Sequence, residues 1–464
     1  MLKNKTSEER FVLISAIVLV VISLGLSLTG LLGMEPHYGP DEIMRFDVAE
    51  WIYVNGRLPW GNEPELISAW GFNYSLAPYL PSIVSAMFMK VMSLFTTAQW
   101  PLFVAYRMPS FLSHLTIGIF SYLTARRLFH KAGAKLCFIA FSVFWPQILY
   151  MGSYLNNDIF ALALCYGVLF CWVYGMQEGW NWKSVIGFGA VLGLLTITYY
   201  YAYGWILCSI LFFCFTLWKQ KKDVKEFWQK TLSVIGVAFM TGGWFFIKNF
   251  IFMPGDFLGF KSTDVFKHQF AVDKIKGIVV PADQMSLKDM LLKGGSEAWW
   301  IRTLRSYLGS FQLYSVVPTK KQYVLFGALI LPSAAAGCLN QIWKGAKSKN
   351  STEKMFVLCQ VLSFVIPIGL TVFSSYYIDF QPQGRYMISS LPALVLWISF
   401  GMQVLSDWVN GLLQKHAGLK KQIPFACMAA FAFALLAAYV YLQLNWSILF
   451  EMYPYFTQPY VRPI

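Results

Sequence analysis

Long uncharged stretches alternate with short basic clusters along the whole chain, and this alternation restricts its fold more than any other feature. The first stretch, residues 11–33, is long enough to cross the hydrocarbon core of a bilayer, which takes about 20 apolar residues. Hydrophobic residues make up 57% of the 464 residues and charged residues only 13%, whereas charged residues make up about 25% of an average soluble domain. This composition excludes a soluble protein, a disordered chain and a nucleic-acid-binding protein.

Ten further apolar stretches are predicted to cross the membrane. They lie at residues 103–125, 135–151, 157–175, 184–199, 203–218, 231–251, 322–343, 355–375, 385–406 and 422–446. One more stretch, 78–97, either crosses the membrane or lies flat on it. Five basic clusters, which begin at Lys3, Arg126, Lys219, Lys344 and Lys415, fall on one side only if this stretch does not cross.

The sequence therefore predicts an all-α polytopic membrane protein with about eleven transmembrane helices in the plasma (inner) membrane. The N-terminus is expected in the cytoplasm and the C-terminus outside. Residues 1–251 form a seven-span module that includes an outward loop, 34–102. Residues 252–321 form a second outward loop, and residues 322–464 form a four-span bundle with an outward tail. Membrane-parallel helices are expected in the loops.

The first outward loop is acidic although the protein as a whole carries a net charge of +14. Its acidic residues between positions 35 and 65 are Glu35, Asp41, Glu42, Asp47, Glu50, Glu63 and Glu65. Pro40, the adjacent acids and Gly56 predict a helix from Asp41 to Tyr53. An amphipathic helix on the lipid headgroups is one interpretation. It leaves Asp41 and Glu42 unexplained, because carboxylates near anionic lipids are costly unless they bind something.

Four charged residues lie near the outer ends of four different predicted spans: Arg107, Asp158, Lys248 and Arg385. A transporter more often places ionisable residues near the middle of the membrane. Each residue alone is explained by a charge that reaches from a helix end to the membrane surface. Together, cations beside carboxylates suit a ligand with a phosphate and several hydroxyl groups.

Six short motifs, taken in their order along the chain, resemble the GT-C superfamily of membrane glycosyltransferases. The similarity is strongest to bacterial relatives of the protein O-mannosyltransferases and to aminoarabinose transferases. The motifs are G-P-D-E (39–42), R-M-P-S (107–110), L-N-N-D (155–158), G-G-W-F-F-I-K-N with G-D-F-L-G (242–249 and 255–259), R-S-Y-L-G-S-F (305–311), and Q-G-R-Y with L-P-A-L (383–386 and 391–394).

The resemblance implies that a sugar moves from a polyprenyl-phosphate donor to a hydroxyl group of a glycan or lipid acceptor on the outer face of the membrane, with inversion. It implies that Asp41 is the catalytic base, assisted by Glu42 or Asp158. The phosphate would be bound by Lys248, Arg385 and Arg107, and the acceptor or sugar by Asp158, Asn157, Arg45 and Tyr386. No metal ligand is assigned, and a divalent metal would use Asp41, Glu42 and Asp158.

The sequence departs from the family at three positions that bear on the donor. Arg45 stands where relatives often have a histidine, and the turn at 196–200 has no lysine. Leu76-Ala77-Pro78 replaces the K-P-P of lipid-A-modifying relatives. Three alternatives stay open: a lipid-carrier flippase or transporter, a non-catalytic envelope-assembly protein, and an oligosaccharide ligase or polymerase that uses lipid diphosphates.

Overall fold

The fold, given by a computed structural model, is built from helices. The structure describes residues 7–36, 38–221, 223–272, 282–293, 298–311, 316–417 and 423–451. The α-helices between residues 7 and 252 are α1 (Ser7–Gly33), α2 (Glu42–Asn55), α3 (Leu80–Met92), α4 (Gln99–Leu128), α5 (Ala132–Val143), α6 (Pro146–Met151), α7 (Asn157–Glu178), α8 (Trp182–Thr196), α9 (Tyr203–Lys221), α10 (Val224–Ala238) and α11 (Trp244–Phe252). They are followed by α12 (Phe260–Phe270), α13 (Leu287–Lys293), α14 (Trp299–Leu308), α15 (Lys320–Lys347), α16 (Ser351–Tyr377), α17 (Leu391–Ala417) and α18 (Phe425–Glu451).

Eight helical segments of the described residues are long and apolar enough to cross a membrane. They contain α1, α7, α9, α10 with α11, α15, α16, α17 and α18. The prediction of an all-α multi-pass membrane protein is confirmed, and the count of eleven spans stays a prediction. The predicted outward tail after residue 451 lies outside the described residues.

The three other predicted spans are less regular than the sequence suggests. Helix α4 has 30 residues, enough for about 45 Å at 1.5 Å per residue, but Arg107 and His114 lie inside it. The stretch 135–151 is broken into α5 and α6, because Pro146 lacks the N–H that a continuous helix needs. Helix α8 has only 15 residues, or about 22 Å.

The ambiguous stretch 78–97 forms α3, which is too short to cross. Its 13 residues extend about 20 Å, whereas the hydrocarbon core is about 30 Å thick. Helix α3 instead packs beside α2, where Phe46 and Ala49 meet Met89. The helix predicted from Asp41 to Tyr53 is α2, which begins one residue later and ends at Asn55.

The C-terminal bundle packs directly on the first seven predicted spans. Phe433 of α18 stacks on Phe141 of α5 with the ring centroids 3.8 Å apart. Tyr441 of α18 shares a hydrogen bond of 3.0 Å with Ser153, which follows α6. This packing brings residues from both ends of the chain to one end of the molecule.

Single cysteines at Glu65 and Lys349 will test which loops share a side. Both side chains are exposed. If the basic clusters are cytoplasmic, a membrane-impermeant maleimide labels Glu65→Cys on intact cells, and it labels Lys349→Cys only after permeabilisation. The eight native cysteines lie in apolar helices, so the wild-type protein measures the background. Equal labelling of both variants on intact cells would contradict the predicted topology.

Candidate functional site

Asp41 is held in an unusual backbone conformation at the start of α2. Its φ is 62° and its ψ is 5°, and it is the only non-glycine residue with positive φ among the described residues. Aspartate tolerates this left-handed conformation better than most residues, at a cost in strain. Although Asp41 precedes the first turn of α2, its side chain makes no capping hydrogen bond. Its carboxylate is therefore available to other groups, and 26% of the side chain is exposed.

Two arginines from distant parts of the chain face the carboxylate of Asp41. Arg385 Nη2 donates to Asp41 Oδ2 over 2.7 Å, and Arg45 Nη2 lies 3.8 Å from the same oxygen. The Tyr74 hydroxyl also donates to this carboxylate. Burial alone would raise the pKa of Asp41, but the positive charges of Arg385 and Arg45 together outweigh burial, so this pKa lies below its usual value.

Arg385 also lies beside Asp158, at the start of α7. Arg385 Nη1 is 3.9 Å from Asp158 Oδ2, and Arg385 Nε donates to Gln383 Oε1 over 2.8 Å. The guanidinium carbon lies 4.9 Å from the ring centroid of Tyr386. The structure thus brings four of the predicted site residues into one group, here named the Asp41 cluster: Asp41, Arg45, Asp158 and Arg385.

The short 3-10 helix that carries Arg385, Gly384–Ser390, is positioned by α14. Ser306 Oγ accepts a hydrogen bond of 2.7 Å from the backbone N–H of Gly384. A side chain at position 384 would put a Cβ atom 2.1 Å from Tyr307 N, which only glycine avoids. This close approach explains why the Q-G-R-Y and R-S-Y-L-G-S-F motifs occur together: the second supports the first.

Glu42 and Arg107 form a buried ion pair beside the Asp41 cluster. Arg107 Nε and Nη2 donate to the two oxygens of Glu42 over 2.7 and 2.9 Å, and neither side chain is exposed. Arg107 Nη1 donates to the carbonyl oxygens of Leu31 and Met34, at the end of α1. Because these bonds occupy the guanidinium, the arrangement gives Arg107 a structural role and gives its predicted phosphate binding no support.

Lys248 lies in a second, adjacent site on α11. Its side chain is buried, and its Nζ donates to the carbonyl oxygen of Ser75 over 3.0 Å. The ammonium also lies 5.2 Å from the ring centroid of Tyr79 and 5.1 Å from that of Phe245. It forms no ion pair with any residue that the structure describes, although Glu63 interacts with its charge. Ser75 follows Tyr74, so one short segment adjoins both sites.

The acids predicted as metal ligands are already surrounded by cations. Arg385 lies between Asp41 and Asp158, and Arg107 holds Glu42. No group of three or more His, Cys, Asp or Glu side chains suited to a metal ion occurs within the described ranges. A divalent metal on Asp41 and Asp158 would have to displace Arg385.

Three residues at the site were not predicted from the sequence: Tyr74, Tyr201 and Glu63. Tyr74 binds Asp41, and Tyr201 stacks on Tyr386 with the ring centroids 4.9 Å apart. Glu63 accepts from the backbone N–H groups of Trp60 and Gly61 and so shapes the loop near Lys248. The abundance of aromatic residues in the outward loop was the available signal for Tyr74. The aromatic turn after α8 was the signal for Tyr201.

Comparisons with known proteins show which family and which solved structures the chain is similar to. Residues 80–244 match the model of a family described as dolichyl-phosphate-mannose-protein mannosyltransferase. No curated protein matches the sequence. The chain therefore resembles this family over part of its length, α3 to the start of α11.

Three solved structures share the fold over nearly the whole chain. Two are of ArnT from Cupriavidus metallidurans. The apo form has a TM-score of 0.52 and 14% identity, and the match covers 94% of this chain and 76% of ArnT. The form bound to undecaprenyl phosphate has a TM-score of 0.52 and 15% identity, and the match covers 94% and 77%. The third is the archaeal oligosaccharyltransferase AglB from Archaeoglobus fulgidus, in complex with an inhibitory peptide and a dolichol-phosphate. Its TM-score is 0.51 and its identity 12%, and the match covers 97% of this chain but only 60% of AglB.

The chain therefore has the GT-C fold, and the resemblance to the GT-C superfamily that its motifs indicate is confirmed.

Replacing Glu42 by glutamine is expected to destabilise the fold, because Arg107 would keep a buried charge without a counter-charge. Loss of one partner of such a pair costs about 3–5 kcal/mol. The measurement is thermal unfolding of the purified protein in detergent. Asp41→Asn, one residue away and partly exposed, is the matched control and is expected to lower stability much less. An equal loss in both variants would contradict the structural role of the Glu42–Arg107 pair.

Proposed function

We propose that the chain is a glycosyltransferase that moves a sugar from a polyprenyl-phosphate donor to an acceptor hydroxyl at the outer face of the plasma membrane. The observation that carries this proposal is the partly exposed carboxylate of Asp41, held in a left-handed conformation beside Arg385, with the buried Lys248 bound to Ser75, the neighbour of Tyr74. The ArnT structure with undecaprenyl phosphate and the AglB structure with a dolichol-phosphate support a polyprenyl-phosphate ligand.

The reaction breaks the bond between the anomeric carbon and the phosphate oxygen of the donor. The acceptor oxygen attacks the opposite face of that carbon, which inverts its configuration. The acceptor proton passes to the Asp41 carboxylate, acting as general base. The bonding electrons leave with the phosphate, which gains negative charge. Glycans and glycolipids of the cell envelope are the proposed acceptors.

Charge balance assigns the phosphate to Lys248. The Asp41 cluster contains two arginines and two aspartates, so its formal charges cancel. While Arg385 stays between Asp41 and Asp158, the cluster has no net positive charge for an anion. Lys248 is a buried cation with no ion-pair partner in the described part of the chain, and such charges are normally paired. A phosphate on Lys248 supplies the missing partner, and fixed cations favour the charge that develops on the leaving group.

Arg385 links the binding of the donor phosphate to the basicity of Asp41. While Arg385 binds Asp41, it lowers the pKa of the carboxylate and makes it a weak base. A phosphate within reach of Arg385 competes for the same guanidinium donors. When Arg385 turns towards the donor, the pKa of Asp41 rises. Asp41 thus becomes a stronger base when the donor is bound.

A membrane transporter is less well supported by the arrangement of polar groups. His114, deep in the bundle, bonds to Ser27 Oγ and to the Val143 carbonyl oxygen, each over 2.9 Å. These groups satisfy one another and are fully buried, so they pack the bundle rather than line a path for a substrate.

Asp41 and Lys248 should affect different kinetic constants. Asp41→Asn is expected to lower kcat about 10²- to 10⁴-fold, the usual contribution of a general base. Lys248→Met removes a charge-assisted contact that holds the phosphate in the ground state and the transition state, so KM for the donor should rise roughly 10- to 100-fold. The measurement is turnover by purified protein with undecaprenyl phosphates that carry mannose, glucose or 4-amino-4-deoxyarabinose.

Lys230→Met is the matched control for Lys248. Lys230 is equally buried, but it pairs with Glu226 and donates to the Trp180 carbonyl oxygen near the predicted cytoplasmic end. It should leave KM for the donor unchanged. Wild-type turnover in Asp41→Asn would exclude Asp41 as the base, and the absence of turnover by the wild-type protein with every donor would contradict the proposed reaction.

Arg45→Gln should change the pH dependence of the reaction. Asp41 acts as a base only above its pKa, and the positive charge of Arg45 helps to lower that pKa. Loss of this charge raises the pKa, so the acid limb of kcat/KM should move to higher pH. Arg57→Gln, which changes an exposed arginine of the same loop, is the control and should leave this limb in place. An unchanged acid limb in Arg45→Gln would contradict the assignment of Asp41 as the base.

A further inference from the structure

A short segment beside Lys248, residues 73–79, carries three buried polar side-chain atoms that have no hydrogen-bond partner among the described residues. The partnerless atoms are Asn73 Nδ2, Ser75 Oγ and the Tyr79 hydroxyl oxygen. The three residues are only 1%, 0% and 2% exposed, respectively. A buried polar group without a partner costs free energy, so native proteins contain few of them and each requires an explanation.

Two asparagines from the transmembrane bundle add further partnerless atoms to this segment. Asn157 Nδ2 of α7 donates to the Pro78 carbonyl oxygen over 2.7 Å, and Asn249 Nδ2 of α11 donates to the Leu76 carbonyl oxygen over 3.1 Å. These carbonyl oxygens require the nitrogen end of each amide, so neither amide can be turned round. The oxygen ends, Asn157 Oδ1 and Asn249 Oδ1, have no partners in the part of the chain that the structure describes.

The chemistry of these five atoms fits a neutral polyhydroxylated ligand better than an anion. Asn73 Nδ2 is a donor, the two asparagine oxygens are acceptors, and the Ser75 and Tyr79 hydroxyls are both. A sugar hydroxyl also donates and accepts, so it can satisfy each of them. A deprotonated phosphate offers only hydrogen-bond acceptors, so its oxygens and the asparagine oxygens would repel one another.

The segment lies next to Lys248, as expected if the sugar binds to the segment and the phosphate binds to Lys248. Lys248 Nζ donates to the carbonyl oxygen of Ser75, whose own side-chain oxygen is one of the partnerless atoms. Asn157 adjoins Asp158 of the Asp41 cluster in the chain. The segment thus contacts Lys248 on one side and, through Asn157, the residue next to Asp158 on the other.

We propose that Asn73, Ser75, Tyr79, Asn157 and Asn249 form the subsite that binds the sugar ring of the donor through its hydroxyl groups. This inference rests on the proposed function. It assigns sugar selectivity to uncharged atoms around residues 73–79, and it separates the recognition of the sugar from the recognition of the phosphate at Lys248.

Ser75→Ala and Tyr79→Phe test the subsite without disturbing the fold. Each removes only an oxygen that has no partner among the described residues, and the backbone bonds of Ser75 and the aromatic ring of Tyr79 remain. Each variant should therefore unfold at the same temperature as the wild type or at a higher one. Ser121→Ala is the matched control, because Ser121 Oγ is equally buried and partnerless but lies on α4, away from this segment.

The measurement is the dissociation constant of two kinds of ligand in detergent: undecaprenyl phosphate itself, and the undecaprenyl-phosphate sugar that the wild-type protein turns over. Loss of one hydrogen bond to the sugar should weaken binding of the sugar-bearing ligand roughly 3- to 10-fold in Ser75→Ala and in Tyr79→Phe. Binding of undecaprenyl phosphate should change less than about 2-fold, and Ser121→Ala should change neither constant.

Three outcomes would overturn the inference. Unchanged binding of both ligands would show that the atoms contact solvent or water only. Equal weakening of both ligands would place the phosphate, not the sugar, on this segment. In these two cases turnover by the wild type and its loss in Asp41→Asn would leave the proposed function intact. If no sugar-bearing ligand is turned over or bound by the wild type, the proposed function and the subsite both fall.

Discussion

The buried ion pair between Glu42 and Arg107 is the interaction on which the site depends. Arg107 lies on α4, bonds both oxygens of Glu42, and also binds carbonyl oxygens at the end of α1. It therefore fixes the start of α2 against two transmembrane helices. Asp41 is the residue immediately before Glu42, so the same pair determines where its carboxylate lies. A charge pair withdrawn from solvent is costly to form but gives a geometry that few other contacts can fix as firmly.

The site combines the fixed position of Glu42 and Arg107 with groups that have more than one possible partner. Arg385 lies 2.7 Å from a carboxylate oxygen of Asp41 and 3.9 Å from one of Asp158, so two carboxylates are within its reach. Lys248 and residues 73–79 carry hydrogen-bonding groups that exceed the partners available within the described chain. Rigidly held residues beside polar groups that lack hydrogen-bond partners are the arrangement expected of a binding site.

Much of this arrangement could be predicted from the sequence, and the failures have a common physical origin. The helix at Asp41 was predictable because its start and stop signals are local, and the ambiguous stretch 78–97 was resolved by the distribution of charge. The role of Arg107 was not predictable, because its partner is 65 residues away and a charge at a helix end looks the same whether it is free or paired. Residues 73–79 were missed because uncharged polar residues in a loop have no periodic pattern. The break at Pro146 shows that the length of an apolar run does not report the continuity of a helix.

The contact between Asp41 and Arg385 joins residues 344 positions apart. The chain is synthesised from its N-terminus, so α1 to α11 are made before Arg385. A partly synthesised chain thus has the Asp41 carboxylate and Arg45, but not Arg385, which makes the shorter contact with that carboxylate. Assembly of the last helices onto the first ones therefore completes the pairing of Asp41 with both of its arginines.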